Sequence, residues 1–129
     1  MIRQPLPWAI TAGASYVLPQ RGAEQWRLAG VCIASTLATT SPTIIVEIQD
    51  GGGNVAARFE GYFDQGNGAT SLTFAVNAPR DGTVHIGTVM SAYLPPDLWI
   101  FPWEKVILRS DADLDGAATV VTCELAEED

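Results

Sequence analysis

Residues 42–63 read PTIIVEIQDGGGNVAARFEGYF, and this stretch decides the fold class. Across Pro42–Asp50, Ile44, Val46 and Ile48 fall on one side of an extended chain, with Glu47 and Gln49 on the other. That is the period-two alternation of a half-buried strand. Asp50-Gly51-Gly52-Gly53-Asn54 supplies residues that accept positive φ and turn the chain back. Over Val55–Phe63 the alternation resumes, placing Val55, Ala57, Phe59 and Phe63 inward against Arg58, Glu60 and Tyr62. The stretch therefore predicts an antiparallel hairpin.

Similar grammar extends in both directions. Upstream, Gln25–Thr40 has Trp26 and Leu28 on one parity but Val31 and Ile33 on the other. A period-two strand changes parity only where an extra residue intervenes, so a bulge or bend is expected near Ala29-Gly30. A short strand, Ala14–Leu18, precedes it and closes in the turn Pro19-Gln20-Arg21-Gly22. Residues 1–13 hold Pro5 and Pro7, which fix φ and bias their predecessors toward extended backbone; an extended N-terminal arm is expected. Downstream, Thr70–Asn77 sends Leu72, Phe74 and Val76 inward. Val84, Ile86 and Met90 mark a weaker strand containing Gly87. Three prolines then interrupt regular pairing across Leu94–Trp103. Lys105–Ser110 and Ala118–Leu125 are expected to pair with each other across the acidic turn Asp111–Gly116. About eight strands and no helical segment predict an all-β, antiparallel sandwich in one domain, residues 14–129.

Composition supports this and narrows the function. A 129-residue domain buries about two thirds of its unfolded surface, and a hydrophobic fraction of 47% fills such a core. With only 17% charged residues, the surface relies on uncharged side chains, a type often covered by another chain. The net charge of −8, with seven Lys and Arg scattered singly, argues against nucleic acid, because phosphate neutralisation needs clustered cations. The acidic tail Glu124, Glu127, Glu128, Asp129 reads as a solvated end. No apolar run reaches 18 residues, so no membrane span is expected. Arg3 followed by Leu6–Ile10 imitates a signal peptide, but the apolar stretch is short and carries two prolines. Cys32 and Cys123 fall in two separate strands. A bridge is geometrically possible there, but two buried thiols are the favoured reading.

Candidate sites are few. Asp111, Asp113 and Asp115 before Gly116 imitate the opening of a calcium loop. The twelfth loop position, where a bidentate Glu belongs, is Thr122, so a hairpin turn with Asp side chains accepting backbone N–H groups is favoured over calcium. His85 is the only histidine and lies on a strand with no nucleophile-elbow motif in the chain; neither a catalytic relay nor zinc is expected. Glycoside hydrolysis would need converging carboxylates such as Glu47 and Glu60. Trp99, Phe101 and Trp103 invite stacking on a sugar. Ile100 and the neighbouring prolines favour packing against the sandwich end or another subunit instead. No cofactor and no enzymatic activity are expected.

Three segments carry a resemblance: Gln25-Trp26-Arg27-Leu28-Ala29-Gly30-Val31, the hairpin Ile45–Val55, and Leu94-Pro95-Pro96-Asp97-Leu98-Trp99-Ile100. Together, over about residues 15 to 126, the chain resembles small minor structural proteins of tailed bacteriophages, which are encoded among head and tail morphogenesis genes. The resemblance implies a jelly-roll-like sandwich and a virion component, foremost a capsid decoration (cement) protein. Such a protein would bind the assembled major capsid protein lattice as a homo-oligomer, a trimer being the first expectation, and would sit on the capsid surface after assembly in the bacterial cytoplasm. A lectin-like sandwich of a tail or fibre and another head-tail component are the alternatives. The expected contact residues are Ile2, Leu6, Trp8 and Ile10 in the arm, and Pro96, Trp99, Phe101 and Trp103 in the proline-rich loop. Both segments hold large apolar side chains that need something to pack on.

Overall fold

A computed structural model describes residues 2–6, 13–18, 25–34, 42–65, 68–76, 84–86, 88–111 and 118–125. Of these, 2–6, 84–86 and 118–125 are described by backbone and register alone. The chain is an all-β sandwich. Its strands are β1 (Ile2–Leu6), β2 (Ser15–Val17), β3 (Trp26–Ala34), β4 (Thr43–Gln49), β5 (Val55–Tyr62), β6 (Ser71–Ala75), β7 (Val84–Ile86), β8 (Val89–Tyr93), β9 (Trp99–Ile100), β10 (Lys105–Ser110) and β11 (Ala118–Leu125). One sheet runs β1-β11-β3-β6-β8-β7, with β9 added beside β3; the other runs β2-β10-β4-β5. In both sheets a late strand is clasped between two early ones.

The hairpin at residues 42–63 forms as its sequence dictates. β4 pairs β5 from Thr43↔Tyr62 to Ile48↔Ala57, and a bulge then brings Gln49 opposite Val55. At the tip, the Asp50 Oδ1 accepts the N–H groups of Gly52 and Asn54, both at 2.9 Å. Gly53 takes φ +83°, where a Cβ would be strained. The bulge in β3 is also where parity demands it. Thr122 of β11 faces Gly30 and Cys123 faces Leu28, so Ala29 is the extra residue. It lets Trp26 and Leu28 share the core with Val31 and Ile33, which a regular strand would turn outward.

Between the sheets lie Trp26, Leu28, Val31 and Ile33 from β3, Ile44, Val46 and Ile48 from β4, and Leu72 and Phe74 from β6. Met90 and Ala92 of β8, Ile100, Val106 and Leu108 complete the layer with Phe63 and Leu94. Burying each large apolar side chain contributes about 1.5–3 kcal/mol. At Gly61 the sheets pinch together, for a Cβ there would stand 3.0 Å from Leu72 Cδ2 and 3.1 Å from both Ala92 Cβ and Phe74 Cζ. Glycine at that position lets β5 close over β6 and β8.

Several expectations need correction. The N-terminal arm is extended, but Ile2–Leu6 is not excluded from pairing: it forms β1, antiparallel to β11, with Pro5 opposite Val120. Proline lacks only the donor, and an edge strand needs hydrogen bonds on one side. β10 and β11 do not pair with each other; they lie in different sheets. β6 and β8 run parallel, whereas the other strand pairs among the described residues are antiparallel. The segment around Gly87 is two strands, β7 folding back on β8 with Ile86 opposite Val89. Val55 and Val76 are exposed despite their inward parity; Val55 opens β5 and Val76 lies just past the end of β6. Cys32 is a free, half-buried thiol opposite Val120, whereas Cys123 is opposite Leu28. That offset of three residues, about 10 Å along the ladder, is beyond disulfide reach. Among the described residues no helix is long and apolar enough to cross a membrane.

Candidate functional site: an exposed aromatic turn

The proline-rich loop that follows β8 is fixed to the sandwich more firmly than its prolines suggested. Leu94 N–H donates to Ala75 O at 3.0 Å, Leu28 N–H donates to Leu98 O at 2.9 Å, and Arg27 Nη1 donates to Pro96 O at 3.1 Å. Trp99 and Ile100 then form β9 against Arg27 and Trp26. Ile100 is fully buried, and Leu98 packs partly against the core. Two residues of regular pairing are enough to anchor the loop, and they leave Trp99 half-buried on β9.

Immediately after this anchor the chain makes a tight turn, Phe101-Pro102-Trp103-Glu104. Glu104 N–H donates to Phe101 O at 2.9 Å, and the Glu104 carboxylate accepts the Phe101 N–H at 2.9 Å. Pro102 presets the φ of the second turn position. The turn stacks the rings of Phe101 and Trp103 with centroids 4.9 Å apart and planes 4° from parallel. Phe101 is 40% exposed and Trp103 63%. The tip of the β4–β5 hairpin lies alongside, where a Cβ on Gly51 would come within 3.7 Å of Trp103 O and 3.9 Å of Trp103 Cβ. Register agrees, since Lys105 faces Gln49 at the same end of the sheet.

Two carboxylates beside the rings, Asp50 and Glu104, are engaged within the chain. Asp50 holds the hairpin tip, and hydrogen bonds from the Asn54 backbone N–H first, then from Gly52, keep its carboxyl below the usual carboxylate value of 3.8. Glu104 closes its own turn. What stands outward on the turn is the stacked pair of rings, apolar and exposed.

The other predicted positions fall as follows. Pro96 is exposed, and Trp99 stands on β9 apart from the stacked pair. Ile2 and Leu6 occupy the two ends of β1, while Trp8, Ile10, Asp113 and Asp115 lie outside the described residues. Asp111 is a strand clamp: its Oδ1 accepts Thr43 N–H at 2.8 Å, joining the ends of β10 and β4. Among the described residues no three His, Cys, Asp or Glu side chains gather as a metal site. His85 sits in β7 opposite Met90. Glu47 and Glu60 do reach the same outer face of the four-stranded sheet, but each is held by an arginine. Arg109 Nη1 lies 2.6 Å from the almost fully buried Glu47, and Arg58 Nη2 lies 2.9 Å from Glu60. Arg109 Nε also donates to Ser15 Oγ at 2.9 Å.

Sequence reasoning singled out Phe101 and Trp103 but missed their stacking and the part played by Glu104. A proline at the second position and an acidic residue at the fourth were the available signal. Compared with protein-family models and with curated proteins, the chain matches none.

Proposed function

We propose that this chain is a non-enzymatic structural protein that docks on a larger protein assembly through the Phe101–Trp103 turn. The assembly, on the resemblance to tailed-bacteriophage structural proteins, is a phage capsid, with the chain as a decoration protein on its surface. The observation that carries the docking role is the stacked, exposed aromatic pair on a turn whose backbone is fixed by Glu104 and by β9. Exposed aromatics on a rigid support lose little conformational freedom on binding, which is why they act as interface anchors.

A decoration protein works by mass action. Binding the assembled lattice and not the free subunit shifts the equilibrium toward the particle. The sandwich supplies stiffness; the turn supplies contact. The part of the arm that forms β1 would act from within the sheet, at its edge.

Co-sedimentation tests the reading. The purified chain is mixed with shells assembled from the major capsid protein encoded near its own gene, and separately with that protein unassembled. Saturable binding to shells alone is the expected result. Binding to a glycan array that disappears in Trp103→Ala, with none to shells, would replace this reading with the lectin-like one.

A further inference from the structure

The four-stranded sheet ends in β5, eight residues long, without proline, and with no further strand beside it among the described residues. The other terminal strands are less inviting. β2 and β7 have three residues each, and β1 carries Pro5, which removes a donor. On the outer face of β5 stand Ala56, Arg58, Glu60 and Tyr62, all exposed. On its inner face Phe59 packs against the core yet stays half-buried, because the sheet stops there.

We propose that this edge is a self-association site at which a second copy adds its own β5 antiparallel, with Phe59 on the two-fold axis and Arg58 of each copy opposite Glu60 of the other.

The sequence of the strand suits a second copy of itself and disfavours the registers one step to either side. In an antiparallel pair, residues directly opposite share a face and interact as a unit. With Phe59 opposite itself, Arg58 meets Glu60 twice, Ala56 meets Tyr62 twice, and Ala57 meets Gly61 twice. The Arg58–Glu60 pair already formed along each strand is extended across the two copies into a four-charge cluster of alternating sign, a large ring faces a small side chain, and the pinched position faces alanine. A shift of the axis to position 58 sets two Arg58 side chains together, and a shift to position 60 does the same with Glu60. A shift to a point between residues turns one copy's outer face toward the other's core side. The axis at 59 also covers the ring of Phe59, an apolar group that one copy leaves partly wet. Pairing of identical edges is isologous and closes at two copies, so this contact would give a dimer. It is independent of what the aromatic turn binds.

Sedimentation equilibrium of the full chain tests this. The wild type is expected at twice its 13.8 kDa mass. Arg58→Glu and Glu60→Arg, each alone, reverse two cross-strand pairs and are expected to weaken self-association by at least about tenfold. Mixed in equal amounts, the two variants are expected to regain the dimer, because one strand then carries two arginines and the other two glutamates. Amide exchange provides a readout without mutation: the β5 amides are expected to slow as wild-type concentration rises. A wild-type monomer, a trimer unaffected by either charge reversal, a mixture no tighter than its separate components, or β5 exchange independent of concentration would each overturn the proposal.

Discussion

Trp26 and Trp103 are the same side chain in opposite settings. Trp26 is 1% exposed at the start of β3, opposite Ile100, and Trp103, three residues past Ile100, is 63% exposed. Between Ile100 and Phe101 the chain passes from core to surface in a single residue, with β9 holding one side and the Glu104-closed turn presenting the other. The contrast teaches that one tryptophan is committed to the core and the other is left at the surface, where the proposed docking would use it. Changes at the first should unfold the molecule, and changes at the second should leave it folded but unable to dock.

The sharpest way to break that contrast is Trp26→Ala. Emptying the largest core site should cost about 3–5 kcal/mol in chemical denaturation, a large share of the stability of a domain this size. A loss below about 1 kcal/mol would mean that Trp26 is not a core element. Gly61→Val comes next. Its side chain would collide with Leu72, Phe74 and Ala92, and overpacking of this kind costs about 1–3 kcal/mol. Thermal melts that match the wild type would show that the sheets are not pinched there.

The hairpin tip beside Trp103 gives a smaller effect with a defined pH dependence. Because folding lowers the Asp50 value below 3.8, its stabilising contribution is complete above that pH and is lost as pH falls through the lower folded value. The difference in melting temperature between wild type and Asp50→Ala should therefore be constant from neutral pH down to about pH 4 and shrink at more acidic pH. A difference that grows on acidification would contradict the hydrogen-bond account. Smallest of all in stability is Trp103→Ala, expected within about 0.5 kcal/mol of wild type by denaturant unfolding.

What the sequence made legible was local. The Ile44–Phe63 hairpin follows from alternation and a glycine-rich tip, and the Ala29 bulge follows from a change of parity within one strand. Non-local partnership was not legible. Nothing between Ser110 and Ala118 reveals that the chain leaves one sheet for the other, since both strands alternate equally well in either. Pro5 suggested an unpaired arm because the outer side of an edge strand, where a missing donor costs nothing, is a property of the whole sheet. The site was half legible. The composition of residues 99–103 revealed the aromatics, but their split into a half-buried Trp99 on β9 and a stacked surface pair depends on where β3 stops accepting partners.

The most direct test of the docking claim compares wild type and Trp103→Ala in co-sedimentation with assembled capsid shells, with thermal unfolding measured on the same samples. The account predicts nearly equal melting temperatures and a fall in shell affinity of at least about tenfold, the scale of an aromatic anchor lost from an interface. Equal shell affinity in the two proteins would contradict it.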